Sequence, residues 1–122
     1  MKSEYTSRIV AKVLRVPLRK VTSMIERGYI VSSIRDAAGH GSKRLFSFDD
    51  VLRAFVIHNL ESLGLSVEKL RFVAGVISNS DELALPLLKF FTSANDPTPI
   101  LWVPLKSMRD CVVSRILALD CL

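Results

Sequence analysis

Apolar positions along the chain fall into blocks of helical spacing, separated by short polar or glycine-bearing breaks. Ile9, Val10, Val13 and Leu14 form the first block, with Thr6 or Ser7 in place to cap it. Leu18, Val21, Met24 and Ile25 form the second. Pro17 opens this block with its ring angle preset for a first helical turn, and Gly28 can take the left-handed conformation that ends it. Two short helices joined through Arg15-Val16 read as a helix-turn-helix. The third block holds Val51, Leu52, Ala54, Phe55, Val56, Ile57, Leu60 and Leu63, so dense that burial on more than one side is expected. Ser47 caps it, Asp49 and Asp50 suit its positive end, and Gly64 stops it. Ser66 caps a fourth helix, with Val67, Leu70, Val73, Ala74 and Ile77 on one face.

Between the second and third blocks the pattern changes. Tyr29-Ile30-Val31 is β-prone, and Ile34 extends it. Residues 36–42 are a turn-rich tip, and Lys43-Arg44-Leu45-Phe46 is the returning strand. Two short strands about a glycine-bearing tip predict a hairpin, which beside a helix-turn-helix is a wing.

The last third is less regular. Asn79-Ser80-Asp81 interrupts the pattern, Pro86 sits inside an apolar run, and Asn95-Asp96-Pro97-Thr98-Pro99 reads as a turn. Residues 87–93 and 100–104 are read as two strands around it, followed by a helix over about 107–119. No heptad run is present. The expected fold is therefore mainly α, a winged helix-turn-helix over residues 1–77 with a small α+β C-terminal appendage over 78–122.

Charge sharpens this picture. The 122 residues carry 17 Lys/Arg against 12 Asp/Glu, a formal net charge of +5. Residues 1–46 hold 10 Lys/Arg against 3 Asp/Glu, a net of +7, while 47–77 (3 against 4) and 78–122 (4 against 5) are each at −1. Such segregation points to a face for a polyanion. On the second helix Arg19, Thr22, Ser23 and Glu26 oppose the apolar face, with Lys20 and Arg27 at its edges. These side chains are candidates for base edges and phosphates in duplex DNA. Arg8, Lys12 and Arg15 on the first helix are candidate phosphate contacts, and His40, Lys43 and Arg44 candidate wing contacts. Thr22 and Ser23 are small, so Arg19 is the main candidate for base-edge readout.

The order helix-turn-helix, glycine-tipped hairpin, helix pair resembles the DNA-binding domain of the MerR family of transcription regulators. The resemblance covers about residues 5–77. It rests on VPLRKV and ERG, on KRLFSFDDVLR, and on SLGLSVEKLR, in that order. It implies that Arg19 stands at the family's recognition-helix arginine, that Arg44 matches the wing arginine near the phosphate backbone, and that Phe46 takes the place of the wing's closing aromatic. Thr22 and Ser23 replace an arginine and a tyrosine usual after Val21. Lys43 replaces an aromatic before the wing arginine. The family's long dimerising helix is missing.

Other chemistries are weaker. Cys111 and Cys121 on one helix would lie ~15 Å apart, too far for one metal ion, so free thiols are expected and no metal or cofactor. His40 and His58 form no ligand pair. Trp102, Phe90 and Phe91 are read as appendage core before a small-effector pocket. No nucleophile motif, phosphate-cradling glycine loop or paired carboxylate set suggests an enzyme. No export signal or membrane span is read, which places the chain in the cytoplasm, at the nucleoid. The expected partners are double-stranded DNA and a second copy of the chain, with a protein partner or small effector at residues 78–122. Two other functions fit the pattern. One is a phage-type excisionase or architectural protein that bends DNA. The other is a protein-interaction adaptor that has lost DNA binding.

Overall fold

A computed structural model describes residues 4–35, 43–93 and 96–120, with side chains undescribed over 91–100. Residues 1–3, the tip read at 36–42 with His40, and Cys121 lie outside these residues. The order is β1 (Tyr5–Thr6), α1 (Ser7–Leu14), α2 (Leu18–Glu26), β2 (Leu45–Phe46), α3 (Phe48–Ser62), α4 (Val67–Ile77), α5 (Ser80–Leu83), β3 (Leu88–Ser93), β4 (Asp96–Val103) and α6 (Leu105–Asp120). The described chain is mainly helical, a helix-turn-helix with a small appendage.

The helix ends follow local chemistry. Thr6 accepts from the Ile9 N–H at 3.4 Å and starts α1. Ser47 accepts from the Asp50 N–H at 3.1 Å while Asp50 accepts from the Ser47 N–H at 2.9 Å, a reciprocal capping box that starts α3. Ser66 caps α4. Gly28 and Gly64, at φ +77° and +91°, follow the ends of α2 and α3. Such backbone costs an L side chain about 1–2 kcal/mol, which is why glycine stands at both places.

Helix α3 is the axis of the fold. Val51, Leu52, Ala54, Phe55, Val56, Ile57 and Leu60 are all buried, because α1, α4 and α6 pack around it. Each such large side chain contributes about 1.5–3 kcal/mol by leaving water. One apolar cluster runs from Tyr5 and Val10 through α3 to Leu105, Val112 and Ile116 of α6. Arg115 of α6 donates to the Val13 carbonyl at 2.6 Å and lies over the Phe55 ring, 5.1 Å from its centroid.

The structure corrects several expectations. Tyr29 and Ile30 belong to no strand. They are buried immediately after Gly28, and the Tyr29 N–H closes onto the Met24 carbonyl at 3.0 Å. The returning strand β2 pairs instead with β1, Tyr5 opposite Phe46 and Thr6 opposite Leu45. The expected hairpin survives as one bridge between Arg35 and Leu45, so Leu45 is held on both sides. Leu18 and Val67, placed on core faces by spacing, are 43% and 49% exposed; each is the first residue of its helix, where the chain has not yet turned onto the core.

In the appendage, Asn79 caps the short α5 where the sequence pattern shows only an interruption. The strands β3 and β4 form an antiparallel hairpin whose register runs from Leu88 opposite Val103 to Ser93 opposite Asp96. Residues 96–99 are thus strand and not turn. Register irregularities surround the pair Phe91–Pro99, as expected for a proline that lacks a ladder N–H. Helix α6 starts at Leu105 and ends at Asp120, longer at its start than read from the pattern.

Candidate nucleic-acid interface

The β1–α1 start, the first turns of α2 and the strand returning from the loop form one recess of about 270 Å³. Arg8 reaches it from α1, Leu18 and Thr22 from α2, and Lys43 and Arg44 from the returning chain. The pairing of β1 with β2 brings these together, because it fixes Thr6 beside Leu45 and so sets Arg44 against the head of α1. Arg35 braces the other side. Its Nε donates to the Lys43 carbonyl at 2.9 Å, while its backbone bonds Leu45 at 2.7 and 3.2 Å.

Four of the eleven candidate residues, Arg8, Thr22, Lys43 and Arg44, therefore share one surface. Arg19 is exposed and Ser23 half-exposed on α2; Lys12 and Arg15 are exposed on α1 and at its end. Arg15 takes a left-handed conformation, φ 59° and ψ 47°, and its N–H closes α1 onto the Ala11 and Lys12 carbonyls. Lys20 and Arg27 point elsewhere. Both pair with Glu61 of α3, Lys20 in close contact and Arg27 at 3.6 Å. This clamp joins α2 to the body. Its chemistry was visible as basic helix edges, but the partner lies 41 residues from Lys20.

Two further groups have roles that their sequence positions do not show. Asp50, 1% exposed, accepts from the Ser33 N–H at 2.9 Å and from the Ser33 hydroxyl, which ties the chain leaving α2 to the head of α3. His58 sits beside the Lys20–Glu61 pair. Its Nδ1 is buried and has no hydrogen-bond partner among the described residues. Burial pushes the imidazole below its ordinary pKa; Lys20 and Arg115 push the same way, and Glu61 opposes them.

Cys111 is a half-buried free thiol. Among the described residues no three His, Cys, Asp or Glu side chains gather where they could hold a metal ion, and no helix is long and apolar enough to cross a membrane. Along α4, Leu65, Phe72, Val73, Phe90 and Leu101, together with Glu68 and Lys69, line a mainly apolar groove of about 300 Å³. There Phe72 meets Phe90 edge to face at 5.8 Å, and Lys89 lies over the exposed Trp102 ring at 4.8 Å.

The chain is similar to uncharacterized HTH-type transcriptional regulators of Mycobacterium bovis and Mycobacterium tuberculosis. It is 31% identical to each over 67 residues, 55% of this chain and 30% of the relative. It thus spans less than a third of the length of these relatives. No family model matches the chain.

Proposed function

We propose that this chain is a sequence-specific double-stranded DNA-binding regulator of transcription, of MerR-like winged helix-turn-helix type. The observation that carries the reading is the recess where Arg8, Thr22, Lys43 and Arg44 converge from three separate segments. A solvated basic helix needs no such convergence; a duplex, with phosphates on either side of a groove, does. The similarity to helix-turn-helix regulators over 67 residues supports the same reading.

In this reading α2 enters the major groove with Arg19 at base edges, and Lys43 and Arg44 track the adjacent backbone. Arg8, Lys12 and Arg15 meet phosphates. Lys20 and Arg27 orient α2 through Glu61 before they touch DNA. Residues 1–77 are the DNA-binding part and 78–122 the appendage. The regulator acts as a homodimer, because one short module offers few contacts. The exposed Phe72 and Trp102 favour α4 and the β3–β4 hairpin as the surface for the second copy.

The test is binding to random-sequence duplex DNA across a salt series. Affinity should fall steeply with salt, and Arg44→Ala should flatten the slope by about one unit. Arg19→Ala should cost most on selected sequences, by about 1–3 kcal/mol. No binding at low salt, or binding indifferent to both substitutions, sinks the reading.

A further inference from the structure

Leu18 stands open to solvent at 43% in the lining of a basic recess, where exposed leucine brings nothing to folding. Its neighbours explain what it could meet. Arg8 of α1 and Lys43 and Arg44 of the returning chain line the same recess. One turn further along α2, the Thr22 hydroxyl donates back to the Leu18 carbonyl at 3.5 Å, which leaves the threonine methyl as the group free for the recess. Leu18 is thus the apolar side chain in a lining that otherwise carries cations and the hydroxyl residues Thr6, Ser7 and Thr22.

We infer that Leu18, with the Thr22 methyl, recognises the C5-methyl of thymine in the major groove. The inference rests on the duplex-DNA reading above and names what α2 reads there. Charge complementarity selects the partner: the cations that share this lining fit phosphates, and the apolar side chain among them is left for a base edge. Of the groups the major groove presents, thymine alone offers an apolar one. Guanine and adenine would set acceptors against a leucine that cannot answer them, so selection for thymine comes with selection against a purine at that place. A mode of readout that needs no arginine after Val21 also agrees with the small residues Thr22 and Ser23 on this face.

The experiment starts from duplexes selected by the full-length wild-type chain from a random pool. Each thymine of the selected duplex is then replaced in turn by uracil, which removes the methyl and nothing else. At one or two positions the wild type should lose about fourfold in affinity, the worth of one buried methyl. Leu18→Gln combined with Thr22→Ser, which removes both apolar groups, should bind the thymine and uracil duplexes alike at those positions. Thymine and uracil bound equally by the wild type at every position overturns the inference. So does a selected pool without thymine preference, or a Leu18→Gln, Thr22→Ser chain that still discriminates. Absence of salt-dependent binding to random duplex is a different result and overturns the DNA reading itself. The uracil comparison needs only the wild type, so the inference stays decidable if a variant fails to fold.

Discussion

Asp50 Oδ1 and Arg53 Nη1 lie 3.2 Å apart, three residues from one another on α3, and between them they join four separate segments. The Asp50 carboxylate takes Ser33 and the Ser47 N–H. The Arg53 guanidinium donates to the Ile77 carbonyl at 2.6 Å, the Ser78 carbonyl at 3.2 Å and the Ser80 hydroxyl at 3.1 Å. The exit from α2, the head of α3, the end of α4 and α5 all meet at this pair. Asp50→Ala leaves a mostly buried guanidinium and the Ser33 and Ser47 N–H groups without their carboxylate. It should cost about 3 kcal/mol in urea unfolding. A loss below about 1 kcal/mol would show that the pair is dispensable.

Arg15 holds a backbone conformation that suits glycine, at φ 59°. Arg15→Gly should therefore raise unfolding stability by about 1 kcal/mol. If Arg15 meets a phosphate, the same variant should bind DNA more weakly and lose about 0.9 from its salt slope. A chain that is more stable but binds less tightly would mean that strain is kept at this corner for the sake of the contact. Gain in stability with unchanged binding would remove Arg15 from the interface.

How much of this could be read in advance depended on distance along the chain. Ser47, Gly64 and Ser66 mark their helix ends through bonds to residues a few positions away, so α3 and α4 were legible nearly to the residue. Asp50 was legible as a helix-start carboxylate, and its grip on Ser33, 17 residues back, was not. Strand β1 is two residues long, too short for any alternation, and exists because Phe46 comes to lie opposite Tyr5. The recess was half legible. Basic residue types marked it, but the pairing that gathers them is long-range. Spacing alone places Leu18 on the core face, and spacing does not see that a helix's first residue can overhang the body it packs on.

The Lys20–Glu61–Arg27 clamp is partly exposed, its side chains at 28%, 24% and 55%. Such pairs contribute little to stability, and Glu61→Gln should change unfolding by less than about 1 kcal/mol. Its effect on binding should be larger. With the carboxylate gone, Lys20 and Arg27 are released toward the duplex, and affinity for random DNA at low salt should rise with a steeper salt slope. An unchanged slope would show that both cations are held away from DNA by more than Glu61.

Phe72 is 64% exposed beside the α4 groove, more than an apolar residue of its size needs to be in a chain that works alone. Phe72→Glu should leave the unfolding midpoint almost unchanged and convert a homodimer to a monomer in sedimentation equilibrium. A wild-type chain that is monomeric at high micromolar concentration would refute self-association through this face.

His58 makes stability depend on pH in a definite direction. Burial first, and the Lys20 and Arg115 cations after it, disfavour the imidazolium in the folded chain, with Glu61 opposing. The folded pKa thus lies below the unfolded value of about 6.5. Between the two values the unfolded chain binds more protons, so stability rises with pH across that interval. The contribution is fully present above about 6.5 and is lost as pH falls through the lowered folded value. Urea midpoints of the wild type should fall from pH 7 toward pH 5.5, before most carboxylates titrate. His58→Gln, uncharged throughout, should show a flatter profile and cross the wild-type curve or close on it at the acid end. Parallel profiles for the two chains would mean that the imidazole finds a partner for its proton in the fold. Because His58 adjoins the residues that clamp α2, the same titration followed by DNA binding tells whether acid loosens the recognition helix before it unfolds the body. A rise in affinity at a pH where the wild type is still fully folded, absent in His58→Gln, is the expected result, in the same direction as release of the clamp by Glu61→Gln.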